Sequence, residues 1–215
     1  MKIYAAILAV AAMLPCSART AADFFSDAPA DAVPMLGADA RADMIAYFRN
    51  GIKSGVANAF GGKSHITTLD SLRLTAQLSD AAKFQVAVIP GKSDTIVAYI
   101  ETVASPVNDS SISFYRTGRD GSLQRLPDPV LPSATDYVPK QYRKQLDTVE
   151  LPSMFFIGID YDPAQRLFLI YNNSFDNLPA GQHPEAAAIM DKVRAYRYDG
   201  RKLVPVKKFV DNIIR

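Results

Sequence analysis

"FYRTGRDGSLQRL", residues 114–126, and "AYRYDGRKLVPV", residues 195–206, decide how this 215-residue chain is read. Each joins two short apolar-polar runs through an Asp-Gly pair. That pair is a strong short-range hairpin signal, because glycine accepts the positive φ that a tight turn between twisted strands requires. Tyr115-Arg116 stands against Tyr196-Arg197, and Asp120-Gly121 against Asp199-Gly200.

Working outward, both stretches close a series of strand-like runs. "KFQVAVI", "TIVAYIETV" and "SISFYRT" lead to the first; "MFFIGI", "RLFLIYNNS" and "KVRAYRY" lead to the second. The breaks "PGKSD", "ASPVNDS" and "DYDPAQ" consist of turn-forming residues. Upstream, "LRLTAQLS" alternates Leu72, Leu74, Ala76 and Leu78, the period of a half-buried strand. A short strand precedes each block, "LRLT" and "TVEL", and a helix pattern lies before both. "DARADMIAYFRNG" has Asp39 as N-cap and Asn50-Gly51 as stop. "TDYVPKQYRKQLDTV" has Thr135 or Asp136 as cap, with Pro139 in its first turn. A third, short helix is expected in "HPEAAAIMDKV".

The expected fold class is therefore α+β, mainly β: two helix-plus-antiparallel-meander repeats of about four strands each, packed together in one compact domain. The units cover residues 39–130 and 131–215. Two copies are too few for a propeller. The competing explanation is that hairpin chemistry alone makes the two stretches alike. Each sheet has an apolar face that the other sheet or the helices must cover.

Residues 1–22 read as a signal peptide. "MK" supplies the positive start and "IYAAILAVAAMLP" an apolar run of the length of an export leader, too short to span a bilayer. Small residues allow cleavage after Ala18 or Ala22. Cys16 raises a lipid anchor as an alternative, although Pro15 stands where a small residue is usual. Beyond the leader the chain has no cysteine, hence no disulfide framework and no thiol nucleophile. Removal through Ala22 takes Lys2 and Arg19 and leaves 22 Lys+Arg against 22 Asp+Glu. No cationic stripe suited to phosphate backbones is present, so nucleic acid is not an expected partner. Residues 23–38, with prolines at 29 and 34, read as an extended strap pinned by Met35 and Leu36.

The chemistry-bearing residues form no recognisable set. His65 and His183 lack zinc-site spacing and are expected on surface loops. "FGGKSH" lacks the first glycine of a phosphate loop and reads as a tight turn. No serine-nucleophile motif appears. Asp23, Asp27, Asp31, Asp39 and Asp43 are spaced in multiples of four, and Asp160 and Asp162 flank Tyr161, but neither group has calcium-loop spacing. The 10 Tyr and 11 Phe, with no Trp, are expected to edge a β-rich core. No residue is assigned a catalytic, cofactor-binding or metal-binding role.

"FFSDAP", "PML", "RADMIAYF", "VANAFGG" and "ETVASPVNDSSISFY", taken in order with the leader, resemble the numbered domain-of-unknown-function family 3256 of exported proteins from Bacteroidales-type bacteria. The resemblance implies a Gram-negative envelope location, periplasmic or outer-membrane-associated, and no established activity. The functional expectation is a non-enzymatic binding or adaptor module for an envelope protein or peptide. The alternative is a carboxylate-based hydrolase or glycan-processing enzyme using Asp160 or Asp162 with a second acid.

Overall fold

Two antiparallel meanders form, but they are unequal. A computed structural model describes residues 18–206 apart from positions 93, 105, 177, 180 and 181. The larger sheet has seven strands in sequence order: β1 (Val56–Ala57), β2 (Lys63–Leu69), β3 (Arg73–Ser79), β4 (Ala82–Pro90), β5 (Thr95–Ala104), β6 (Asn108–Thr117) and β7 (Leu123–Arg125). The smaller has four: β8 (Ile157–Asp162), β9 (Leu167–Asn172), β10 (Val193–Tyr198) and β11 (Leu203–Pro205). Both Asp-Gly hairpins form. Gly121 and Gly200 adopt φ of 81° and 96°, while the Asp120 and Asp199 carboxylates accept hydrogen bonds from the backbone N–H groups that follow them.

The large sheet is the central layer. Successive strand residues face opposite sides, and here both sides are buried. Phe84, Val86 and Val88 of β4, Val97 and Tyr99 of β5, and Tyr115 of β6 pack under helices α1 (Ala21–Ser26) and α2 (Ala38–Arg49). Ala87, Ile96, Ala98, Ile100, Ile112 and Phe114 point the other way, against the small sheet and α3 (Pro184–Ile189). This explains the nearly unbroken apolar runs of β4 and β5, since a strand covered on both faces has no solvent side to mark with polar residues. Across the second interface Phe114 stacks on Tyr198 at 3.8 Å between ring centres and meets Phe168 edge-on at 5.6 Å.

Three expectations change. The equal four-strand units become seven strands and four. The helix expected in "TDYVPKQYRKQLDTV" is replaced by two 3₁₀ segments, Ala134–Tyr137 and Lys140–Asp147. Pro139 is the cause. It disfavours helical geometry for the residue before it, and Val138 is extended, with φ −88° and ψ 114°. The extended strap opens instead with α1. The paired phenylalanines of "AADFFS" are both buried, Phe24 at 1% and Phe25 at 0% exposure, so a helical turn that docks both rings is favoured over an extended chain. Leu36 is buried as expected and Met35 is partly buried.

The linker between α1 and α2 is held by Arg41, a buried guanidinium with no carboxylate partner in contact among the described residues. It donates to the carbonyls of Ser26, Ala28 and Leu36, at 3.1, 3.0 and 2.8 Å. Desolvation lowers its pKa from the usual arginine value. At the start of α1 the Asp23 carboxylate accepts from the Thr20 N–H and hydroxyl at 2.7 and 2.8 Å. Those bonds, the backbone one first, hold its pKa below 3.8. A depressed carboxylate pKa gives stability that is present above the unfolded value and lost as pH falls through the folded one. The stability gap between wild type and Asp23→Ala should therefore narrow as pH falls below 3.8, which urea melts at neutral and acid pH would measure.

Sheet edges are handled in two ways. β1, β7 and β11 are two or three residues long. β8, the other edge of the small sheet, is six residues long, and side chains of the large sheet occupy its outward N–H groups. Ile157 N–H donates to Asp109 Oδ1 (3.1 Å), Ile159 N–H to Ser110 Oγ (3.0 Å) and Tyr161 N–H to Gln85 Oε1 (2.9 Å). Every second amide is outward, so the three partners sit in register along the strand. A polar seam of this kind joins the sheets and closes an edge that would otherwise template pairing.

Candidate functional site

The C-terminus of α2 builds an apolar cavity. Asn50-Gly51 ends the helix as the sequence indicated, and Gly51 takes φ 66°. The N–H of Gly51 then bonds to Phe48 O at 3.2 Å, and that of Ile52 to Tyr47 O at 2.9 Å. This paired arrangement is the Schellman stop, in which the residue after the glycine folds back onto the last helical turn. Ile52 is thereby brought to the Tyr47 side of the helix. The chain returns through Gly55, where any side chain would meet Lys63 Cβ at 2.9 Å, and enters β1.

The result is a groove of about 420 Å³ between α2, residues 51–54 and the start of the large sheet. Met44, Tyr47, Phe48, Ile52, Val56 and Ile66 give it an apolar lining. Phe48 and Ile52 are 38% and 47% exposed, so the lining continues to the surface. Lys53 and His65 are the ionisable residues at its margin besides Tyr47. Ser64, His65 and Ile66 all contribute to the lining. Consecutive strand residues point to opposite faces, so a cavity touched by all three meets β2 along its backbone edge. β1 pairs only with Lys63 and Ser64, and residues 65–69 have no strand on that side among the described residues. The groove thus combines apolar depth with unpaired strand edge.

Elsewhere, most of the acids flagged in the sequence are held by hydrogen bonds or ion pairs. Asp162 closes the β8–β9 turn by accepting from Ala164 N–H and Gln165 N–H. Asp160 accepts from Gln85 Nε2 at 2.6 Å and is the single carboxylate lining its cavity, beside Lys83, Thr102, Tyr171 and Asn173. The two therefore do not converge on one cleft. Asp27 pairs with Arg19, and Asp31 with Arg125, which also holds Asp128. Asp31, Glu101 and Asp128 share a separate cleft of about 320 Å³ over the Phe84–Tyr99–Tyr115 row, where Arg125 ties two of the three acids.

His65 lies exposed on β2 rather than in a loop, and half-buried His183 precedes α3, with Nδ1 3.1 Å from Glu150 O. Among the described residues no three His, Cys, Asp or Glu side chains gather as a metal-binding group. "FGGKSH" is a turn: Asn58 Oδ1 accepts from Phe60 and Gly62 N–H, and Asn58 Nδ2 donates to Leu78 O. Six tyrosines, at 99, 115, 137, 161, 196 and 198, are buried in the core clusters. Burial pushes the Tyr161 hydroxyl up to about 12, and that hydroxyl donates to Val88 O. The sequence reading missed the groove. Its signal was two apolar residues, Phe48 and Ile52, straddling a helix stop.

Geometry of this kind defines a mainly β scaffold of two meanders, with α1 and α2 on one outer face and an apolar surface groove. Residues 13–203 match the family described as "Protein of unknown function (DUF3256)", and the chain belongs to that family. Its fold is similar to the solved structure of a domain of an uncharacterized protein from Porphyromonas gingivalis W83. The TM-score is 0.63 at 17% identity, covering 88% of this chain and 99% of that one. No curated protein matches the sequence. No helix among the described residues is long and apolar enough to cross a membrane.

Proposed function

We propose that this protein is a non-enzymatic binding module of the bacterial envelope, exported to the periplasm or held at the outer membrane, whose groove takes an extended peptide segment. The supporting observation is the coincidence of an apolar cavity with an unpaired stretch of β2. An incoming strand gains main-chain hydrogen bonds from such an edge and selectivity from the pocket that receives one of its side chains. Lys53 is the one lining residue other than His65 and Tyr47 that ionises, so the chemistry favours a segment with an apolar anchor and an acidic group or terminal carboxylate.

The test is selection from a random peptide library, followed by fluorescence anisotropy. Selected peptides should bind the double variant Phe48→Asp/Ile52→Asp at least about tenfold more weakly, the effect of losing a buried apolar anchor. Equal affinity for wild type and variant would reject the groove as the site. An export destination is supported by the leader pattern of residues 1–22, of which residues 1–17 lie outside the described residues. The lipid anchor at Cys16 lies outside them too.

An internal duplication stays part of this proposal. β4–β7 and β8–β11 are both four-strand meanders ending in an Asp-Gly hairpin. Superposition of the two meanders across several relatives would test it, and a best fit with the strands out of order would reject common ancestry.

A further inference from the structure

We infer that export processing cuts the chain after Ala18, so that the mature protein begins at Arg19. This rests on the reading of the first residues as an export leader. Two cleavage positions satisfy the requirement for small residues, after Ala18 and after Ala22. They lie four residues apart, yet they differ in what they remove from the fold. Ala18 is exposed, whereas the four residues that follow it are built into the domain.

Arg19 fastens the chain start to the far end of the large sheet. Its Nη1 donates to the carbonyl of Gly121, in the β6–β7 turn, at 2.8 Å. It also pairs with Asp27 and lies over the Phe24 ring at 4.3 Å from the ring centre. Thr20 supplies both donors to Asp23, and its carbonyl accepts the first helical bond, from Phe24 N–H. Ala21 N–H donates to Ser71 O at 2.9 Å. Ala21 and Ala22 are 0% and 3% exposed within the core beneath the helices.

A cut after Ala22 would discard all of this at once. It would place a charged α-amino group on Asp23, where Phe24 enters the core, and would leave α1 as four residues, too few to sustain a helical turn. A cut after Ala18 discards none of it. Ser17 and Ala18 would then be the last leader residues, and no part of the leader would belong to the folded product.

The experiment is intact-mass measurement of the protein produced from the full chain in an export-competent Gram-negative host. The expected mature chain starts at Arg19. A start at Asp23, or at a lipid-modified Cys16, overturns the assignment. Retention of Met1 overturns the leader reading itself, which separates the two failures. Purified chains starting at Arg19 and at Asp23 provide the second measurement. The shorter one should melt lower by about 5 °C or more, and Arg19→Ala in the longer chain should shift in the same direction by less. Equal melting temperatures would show that residues 19–22 are dispensable and remove the structural basis for the cut.

Discussion

Arg41→Met should lower the unfolding free energy by about 3 kcal/mol, because it takes the donor away from two buried carbonyls and a part-buried one. The stem of methionine fills much of the same space, so packing is largely kept and the loss reports on the hydrogen bonds. Three carbonyls, one at the end of α1 and two from the α1–α2 linker, converge on this one side chain. Lysine should rescue little: a single ammonium cannot reproduce the planar fork that reaches Ser26, Ala28 and Leu36 together. Guanidinium melts of the three proteins measure this directly. A loss under about 0.5 kcal/mol for Arg41→Met, the range of surface substitutions, would mean that the linker carries its own weight without the guanidinium.

The second large effect is expected at Gln85→Leu, about 2–3 kcal/mol. Gln85 is 3% exposed. Its oxygen accepts from Tyr161 N–H, while its nitrogen donates to Asp160 and to Thr75 Oγ1 at 3.2 Å. Leucine removes the Gln85 bonds to Tyr161, Asp160 and Thr75 at once and leaves the Tyr161 N–H and the Asp160 carboxylate only their bond to each other, at 3.0 Å, at the contact between the sheets. Gln124→Leu, on the exposed edge strand β7, is the control and should stay within about 0.5 kcal/mol. If both variants melt alike, the polar seam along β8 adds nothing to the union of the sheets, and apolar packing around Phe114 alone holds them.

What was legible in the sequence follows from the physics of each signal. Asp-Gly pairs at 120–121 and 199–200 fix hairpins locally, whatever the rest of the chain does, and both hairpins are present. Asn50-Gly51 is likewise a local stop. α1 was illegible because Ala21 and Ala22 belong equally well to a cleavage motif and to a buried helix; only the contact with Ser71, fifty residues away, decides between them. The 3₁₀ segments were misread as a helix because Pro139 is tolerated in a first turn, yet here Val138 is extended and splits the run. The unequal sheets were missed because β1 and β2 have little alternation of their own and owe their pairing to α2 overhead. The groove left the weakest trace, since a Schellman stop places Ile52 against Tyr47 through backbone bonds that most sequences with Asn-Gly could form.

A sheet recruits further strands wherever amides face outward in a row. Here the long border of the small sheet is sealed by side chains from the layer beneath it, and three other borders are too short to seed growth. Among the described residues, 65–69 of β2 and 108–113 of β6 keep a side without a strand partner, and under the proposed reading the first of these is where both a partner and an unwanted second copy would dock. If recognition falls on residues 65–69 as proposed, whatever protects the free protein from self-association acts on that same stretch, and recognition and colloidal stability evolve together there.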